Sequence, residues 1–287
     1  MARQRKPSKS RAKELARLQR LGTDDHYVDA ALYDFEYEDQ QADIEWYEAV
    51  AEERAGDRAI VEMGIGTGRI AIPLARAGHR VIGIDRKVEM LDRLEEKLAE
   101  EDEDVVERFE LVEGDITELP VRNASADLVI APFNVLQHLY TWEELLTCFK
   151  EAHRALRPGG TFAFDVLLPD LEWLTWDPDK RHSTTRFVHP TTGERMVYTT
   201  NHTYDFETQV CHIRIFYDRA PRRGGRFRPP AKPLKLVHLA HRQIFPEEIR
   251  SLLAHAGFRL ESLTGDFLDL TLNKDVESQV VVAVKPG

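Results

Sequence analysis

The sequence predicts an α/β fold: a mostly parallel sheet wrapped by helices, with an antiparallel β insertion. Three observations carry that prediction. From residue 59 onward, apolar runs of strand length alternate with amphipathic runs of helix length, the rhythm of βα units. A glycine cluster, Gly64-Ile65-Gly66-Thr67-Gly68, separates the first such strand from the first helix. After Pro169 the rhythm changes to a period-two alternation rich in Thr, Val, Tyr, Phe and His, which suits antiparallel strands.

Taken in order, the apolar runs place strands at 59–63, 80–84, 109–112, 126–131 and 161–166. Amphipathic stretches between them place helices at 70–77, 88–100 and 143–156, the last stopped by Arg157-Pro158-Gly159-Gly160. RMVYTTNHTYDF and QVCHIRIFYD read as antiparallel strands, with a turn at Thr191-Thr192-Gly193-Glu194. The α/β pattern resumes with PEEIRSLLAHAGF from Pro246, a helix ending at Gly257, and with the apolar VVVAV near the end. The organisation expected is a basic flexible arm (1–22), a helical lid segment (23–57), a ligand-binding α/β core (58–170), a β-rich insertion on the substrate side (171–245) and the rest of the core (246–287).

The 287 residues carry a net charge of −11, unevenly spread. Residues 1–20 hold eight basic side chains and one acid, Glu14, which leaves −18 for the rest. Residues 24–57 hold thirteen acids and one base, Arg54. A second basic stretch, 221–235, has six basic residues and no acid, and its Pro and Gly content reads as a long exposed loop. General attraction to nucleic acid is therefore not expected of the body, and any such role rests on the arm and this loop. The 42% hydrophobic fraction excludes a disordered chain, and no run is apolar and long enough for a membrane span. Cys148 and Cys211 cannot build a disulfide framework or a four-cysteine zinc site, so a reducing, cytoplasmic setting and no metal are expected. Both cysteines read as buried thiols.

The stretch AIVEMGIGTGRIAIPLA is the most informative. Its glycines allow a tight turn and close approach to a ligand. A dinucleotide fingerprint, however, would place its third glycine where Arg69 stands, and a P-loop would need Gly-Lys-Ser/Thr, which is absent. Glu62, two residues before the first glycine, would repel a pyrophosphate and suits a cationic ligand. Asp85 ends the second strand, 21 residues after Gly64, where an acid can take both ribose hydroxyls. Asp115 follows the third strand, where it can accept from an exocyclic adenine amine or simply hold a turn. Three acids at the carboxyl ends of successive strands would line the crevice in which open α/β sheets bind ligands.

These pieces together resemble the class I S-adenosylmethionine-dependent methyltransferases of the small-molecule kind, type 11/25-like. They are the Glu62/Gly64/Gly66/Gly68 loop, Asp85, Asp115, ADLVIAPFNVLQHL and RALRPGGTFAFDV, and the match extends over 59–170 and again over 243–285. The resemblance implies a Rossmann-like sheet of seven strands, the last antiparallel, with S-adenosylmethionine as cofactor and S-adenosylhomocysteine as product. It implies Gly64, Ile65, Gly66, Thr67, Gly68, Pro132, Phe133 and Asn134 around the methionine end. It also implies Asp85, Arg86 and Met90 at ribose and adenine, and Asp115 and Ile116 at the adenine edge.

The segment after the fourth strand sorts the subclasses. Ala131-Pro132-Phe133-Asn134 lacks the Asn/Asp-Pro-Pro-Tyr/Phe of amino-methylating DNA, RNA and glutamine enzymes, and no Pro-Cys nucleophile is present. APFNVLQHL resembles the branch that methylates a small-molecule N or O acceptor, which makes His138 the first choice for a base or acceptor-positioning group; packing at a helix start is the alternative. Asp165 either faces the crevice or caps a turn. In the aromatic and acidic segment upstream, Tyr33 or Tyr37 is the lid candidate near the sulfonium. Tyr204, His212, Tyr217 and His241 of the insertion are possible acceptor contacts, and the insertion offers a route to an oligomer. Two other readings remain: an RNA-, ribosome- or protein-directed methyltransferase using the basic arm, and a cofactor-binding module without activity.

Overall fold

The computed structural model describes residues 9–221 and 225–287, which fall into two compact units. The larger comprises Asp29–Asp170 and Gln243–Gly287, the smaller Met1–Val28 and Leu171–Arg242. No helix among the described residues is long and apolar enough to cross a membrane.

The larger unit is built on a seven-stranded sheet. Its strands are β1 (Ile60–Met63), β2 (Val81–Asp85), β3 (Phe109–Glu113), β4 (Ala126–Ala131), β5 (Leu156–Leu167), β10 (Arg259–Gly265) and β11 (Ser278–Val284), in the order β10-β11-β5-β4-β1-β2-β3. β1 to β5 pair parallel, whereas β11 runs antiparallel to both β5 and β10. The expected sheet, seven strands with the last antiparallel, is the one observed. β1 and β4 are buried at every position because helices cover both faces, which is why they read as unbroken apolar runs.

Alternation along the strands feeds two cores. Val61, Met63, Val129, Ala131, Phe162 and Phe164 meet α7 (Trp142–Ala155) and α8 (Pro246–Ala256) on one face. Ile60, Leu128, Ile130 and Ala163 meet α3 (Ala42–Arg54), α4 (Ala71–Arg76) and α5 (Val88–Leu98) on the other. Glu62 and Asp165 occupy positions of this second face. The short helices α2 (Ala30–Tyr37) and α6 (Glu103–Val106) complete the unit. A capping box between Thr141 and Glu144 starts α7; α8 opens on Pro246 and ends at Gly257, as the sequence predicts. β5 begins earlier than expected, because the Arg157-Pro158-Gly159-Gly160 stop already belongs to the strand, as an irregular stretch with Gly159 left-handed at φ 79° and a register shift against β4. The strand order reverses between β1 and β4, which sets the ligand crevice of such a sheet at their carboxyl ends.

The smaller unit is an antiparallel sheet of four strands, β6 (His182–Val188), β7 (Arg195–Asp205), β8 (Val210–Arg219) and β9 (Lys235–Arg242), with helix α1 (Lys9–Asp24). It corrects the sequence reading in three places. The expected flexible arm 1–22 is helical from Lys9: Leu15, Leu18, Gln19 and Gly22 recur at helix spacing, a pattern the charge count hid. There α1 packs on β9 so closely that a Cβ on Gly22 would stand 2.4 Å from the Ala240 Cβ. Residues 1–8 of that arm lie outside the described residues, as do Arg222, Arg223 and Gly224 of the basic loop. The lid segment 23–57 divides, with 23–28 in the smaller unit, and the insertion closes at Arg242 rather than 245. Finally, β9 was masked by the Pro-rich loop before it.

Part of the arm's charge is committed: Arg11 pairs with Asp205 at 2.7 Å and Glu207 at 3.3 Å. The register also divides the four possible acceptor contacts of this sheet between its two faces. Tyr204 opposes Cys211, Cys211 opposes His241, and Tyr217 falls on the same face; His212 opposes Thr203 and Ala240 on the other.

Candidate functional site

The glycine loop follows β1 and is closed by its own hydrogen bonds. The N–H groups of Gly64 and Ile65 both donate to the Ile84 carbonyl, at 2.7 and 3.0 Å, and Gly68 N–H donates to the Ile65 carbonyl at 3.0 Å. Gly66 N–H donates to Asp85 Oδ2 at 2.8 Å. A loop that cradles phosphate presents these N–H groups to the ligand; here four of the five are spent inside the protein.

Glu62 lies under this loop, 1% exposed, and its Oε2 has no hydrogen-bond partner among the described residues. Burial pushes its carboxyl well above the ordinary range, the Arg69 guanidinium pulls it back, and Asp85 adds to the rise. An orphaned buried carboxylate oxygen fits a cationic group, the ammonium of an amino acid for example, and opposes an anion.

Asp85 ends β2 with both oxygens engaged, Oδ2 by Gly66 N–H and Oδ1 by Lys87 N–H, each at 2.8 Å. Burial raises its carboxyl, and those two N–H groups oppose the rise. Each oxygen keeps a second lone pair for a hydroxyl donor. Met90 is buried, and its Cε is the first atom a Cβ on Gly66 would meet, at 3.4 Å. Arg86 is exposed. Exposed Asp115 accepts from both the backbone N–H and the hydroxyl of Thr117, at 2.7 and 2.6 Å, the turn-holding role kept open above. Ile116 packs against the core beside it. Two loop residues face inward: Ile65 is core, and the Thr67 hydroxyl donates to Asp34 at 2.6 Å.

After β4 the chain makes an uncommon turn. Phe133 and Asn134 are both left-handed, with φ of 54° and 63°. Pro132 before them is buried, and the short 3-10 turn Val135–His138 after them places His138 half-buried at its end. Two fasteners hold the turn to β5. Phe133 N–H donates to Asp165 Oδ1 at 2.8 Å, and Asn134 Oδ1 accepts from Leu167 N–H at 2.7 Å. Three side chains gather on the Phe133 ring: the Arg69 guanidinium 4.4 Å from its centroid, Tyr37 at 4.8 Å and Tyr33 at 6.5 Å. Burial drives the Tyr33 phenol far above its ordinary value.

Sequence reasoning missed the brackets that tie these loops together. Asp34 of α2 takes Thr67 Oγ1, Arg93 Nε at 2.9 Å and Lys97 Nζ at 3.5 Å. Arg69, noted only for displacing a glycine, makes a bidentate pair with buried Asp43 of α3. Tyr47 of α3, fully buried, donates to Asp165 Oδ1 at 2.8 Å. The signal available was an acid at helix spacing among aromatics in 29–47, which also fits a solvated helix face. Cys148, buried with Sγ 3.8 Å from Met63 Sδ, and Cys211, also buried, have thiols that burial pushes up. Neither suits a nucleophile.

The carboxylate acceptors Glu62 and Asp85 fit a nucleoside carrying a cationic amino-acid end. Residues 60–160 match the family described as "Methyltransferase domain". Residues 60–160 form a class I, S-adenosylmethionine-dependent methyltransferase domain. Similar to this chain is the putative methyltransferase YqeM of Bacillus subtilis (strain 168), 26% identical over 233 residues, 78% of this chain and 81% of that protein. Among solved structures, the CcbJ methyltransferase from Streptomyces caelestis superposes with a TM-score of 0.67 at 24% identity, covering 86% of this chain and 90% of that one. The sugar N-methyltransferase KedS8 from a Streptoalloteichus species gives 0.64 at 19%, covering 89% and 93%. These two likenesses show the fold. The methyltransferase domain thus brings together Glu62, the glycine loop, Asp85 and the turn 132–134, with Tyr33 and Tyr37 meeting the Phe133 ring edge-on.

Proposed function

We propose that this chain moves a methyl group from S-adenosylmethionine to a nitrogen or oxygen of a small-molecule acceptor. The observation that carries the reading is the buried, unpaired Glu62 carboxylate oxygen beside a glycine loop four of whose five N–H groups are already used. Such a site rejects phosphate and accepts an ammonium.

In this reading Glu62, Gly64, Gly66 and the turn 132–134 receive the methionine end of the cofactor. Asp85 takes the ribose hydroxyls, Arg86 and Met90 the nucleoside face, and Asp115 and Ile116 the adenine edge. When bound, the cofactor supplies a methyl group already activated by a sulfonium, so no residue is needed to protonate a leaving group. The chain's own work is then to orient, to exclude water and to manage the acceptor's proton. His138, next to the turn, is the proposed group that takes this proton or positions the acceptor. Tyr33, whose phenol stays neutral at physiological pH, presents an aromatic face suited to a cation.

A small acceptor is supported by Pro132-Phe133-Asn134, which lacks the amide-gripping motif of base- and glutamine-directed enzymes, and by the fold shared with a sugar N-methyltransferase. Transfer of labelled methyl from S-adenosylmethionine to separate panels of amino sugars, amino acids and total RNA tests it. Label in a small-molecule fraction is expected. Label confined to RNA or protein contradicts the acceptor class.

A further inference from the structure

We infer that Asp165 is a positioning residue for the cofactor's methionine end, acting through the left-handed turn after β4. The inference rests on the cofactor reading above and extends it to a residue outside the first ring of contacts.

A phenylalanine and an asparagine in succession at φ of 54° and 63° cost free energy that glycine would not. The structure must hold such a turn from outside, and Asp165 holds it at the first residue. Its Oδ1 takes the Phe133 N–H and the Tyr47 hydroxyl together, each at 2.8 Å. Asn134 makes the second fastening, to Leu167 N–H, so both ties run to β5, whose register against β4 and β11 is fixed over many residues. Asp165 is 2% exposed, lies on the same sheet face as Glu62, and spends Oδ1 on the Phe133 N–H and the Tyr47 hydroxyl. Its contact with the turn is therefore through the Phe133 backbone.

Its charge is managed by neighbours on every element packed against it. Phe133 N–H and the Tyr47 hydroxyl stabilise the carboxylate, as does the Arg69 guanidinium, while Asp43 on α3 opposes it and burial raises the carboxyl to about 6. An ionised Asp165 grips Phe133 N–H more strongly than a protonated one. The hold on the turn is thus firmest above pH 6.

Two variants in the full chain, titrated calorimetrically with S-adenosylhomocysteine and with adenosine, test the inference. Asp165→Leu removes the acceptor. Affinity for S-adenosylhomocysteine is expected to fall tenfold or more, while affinity for adenosine, which lacks the methionine end, changes less than twofold. A general structural defect lowers both alike, and that result, or no change in either, overturns the inference. Asp165→Asn keeps the shape and an oxygen acceptor, and so folds even if the leucine variant does not. The wild-type to Asn affinity ratio for S-adenosylhomocysteine is expected near one at pH 5 and at three or more at pH 8. Titration of Glu62 and Asp85 cancels in this ratio because both proteins contain them. A ratio of one at both pH values overturns the inference. Absence of wild-type heat with S-adenosylhomocysteine would sink the cofactor reading itself; wild-type heat with unaffected variants sinks only the role of Asp165.

Discussion

The loops that follow β1 and β4 form adjacent walls of one crevice by opposite means. After β1 the left-handed positions fall on glycines, Gly64, Gly66 and Gly68, and the loop closes on its own backbone. After β4 they fall on Phe133 and Asn134, and the turn is held by side chains from elsewhere: Asp165, Tyr47, Arg69 and Tyr37. The two loops also touch, since a Cβ on Gly64 would stand 2.2 Å from Val135 Cγ2. A self-contained loop is written locally in sequence, whereas a braced turn is written across more than a hundred residues.

The largest expected effect breaks the self-contained loop. Gly68→Ala places a Cβ at φ 76° and 2.4 Å from Leu94 Cδ1. A loss of about 2 to 4 kcal/mol of stability is expected from the left-handed cost and overpacking together, read by urea denaturation. A loss below about 1 kcal/mol would mean that the loop relaxes more freely than its hydrogen bonds suggest.

Asp85→Ala comes next. It strips the acceptor from Gly66 and Lys87 N–H and is expected to weaken S-adenosylhomocysteine binding by about 1 to 3 kcal/mol. Glu62→Gln tests the charge under the same loop without changing its shape. Burial raises the Glu62 carboxyl, so the folded state holds the proton more tightly than the unfolded chain does. Wild-type stability should therefore lose a Glu62 contribution as pH rises above the ordinary carboxylate range, and the Gln variant, which keeps the raised carboxyls of Asp85 and Asp165, should fall less over the same range. Melting temperatures of both proteins between pH 4 and 8 check it; parallel curves would remove Glu62 as a strained, ligand-awaiting charge.

The smallest effect sharpens the contrast at the braced turn. Asn134→Ala loses the acceptor for Leu167 N–H and keeps the left-handed cost, for about 1 to 2 kcal/mol. Asn134→Gly loses the same acceptor but relieves the backbone, and is expected to cost under about 1 kcal/mol. If the two variants were equally stable in denaturant, the left-handed turn would carry no strain.

The same contrast explains what was legible in the sequence. The first five strands, the glycine loop and the acids Glu62 and Asp85 follow from local pattern, because apolar runs, glycines and strand-end acids are each set by the immediate chain, whereas the antiparallel last strand was implied only by the family resemblance. Asp115 was legible as a position but not as a role, since an acid before Ile-Thr serves a turn and a ligand equally, and here it holds Thr117. Asp34, Asp43 and Tyr47 are ordinary residues of two acidic, aromatic helices; what distinguishes them is the partners they meet at Thr67, Arg69 and Asp165, which no spacing shows. Helix α1 was hidden because eight cations in twenty residues outweighed the Leu15, Leu18 and Gly22 stripe.

Calorimetric titration of the intact chain with S-adenosylhomocysteine addresses the central claim, that Glu62, Asp85 and the two loops form a nucleoside and amino-acid cradle. Saturable binding with one site per chain is expected, weakened about fivefold or more in Asp85→Ala. Folded wild-type protein that gives no heat, or an Asp85→Ala variant that binds as tightly as wild type, would contradict it.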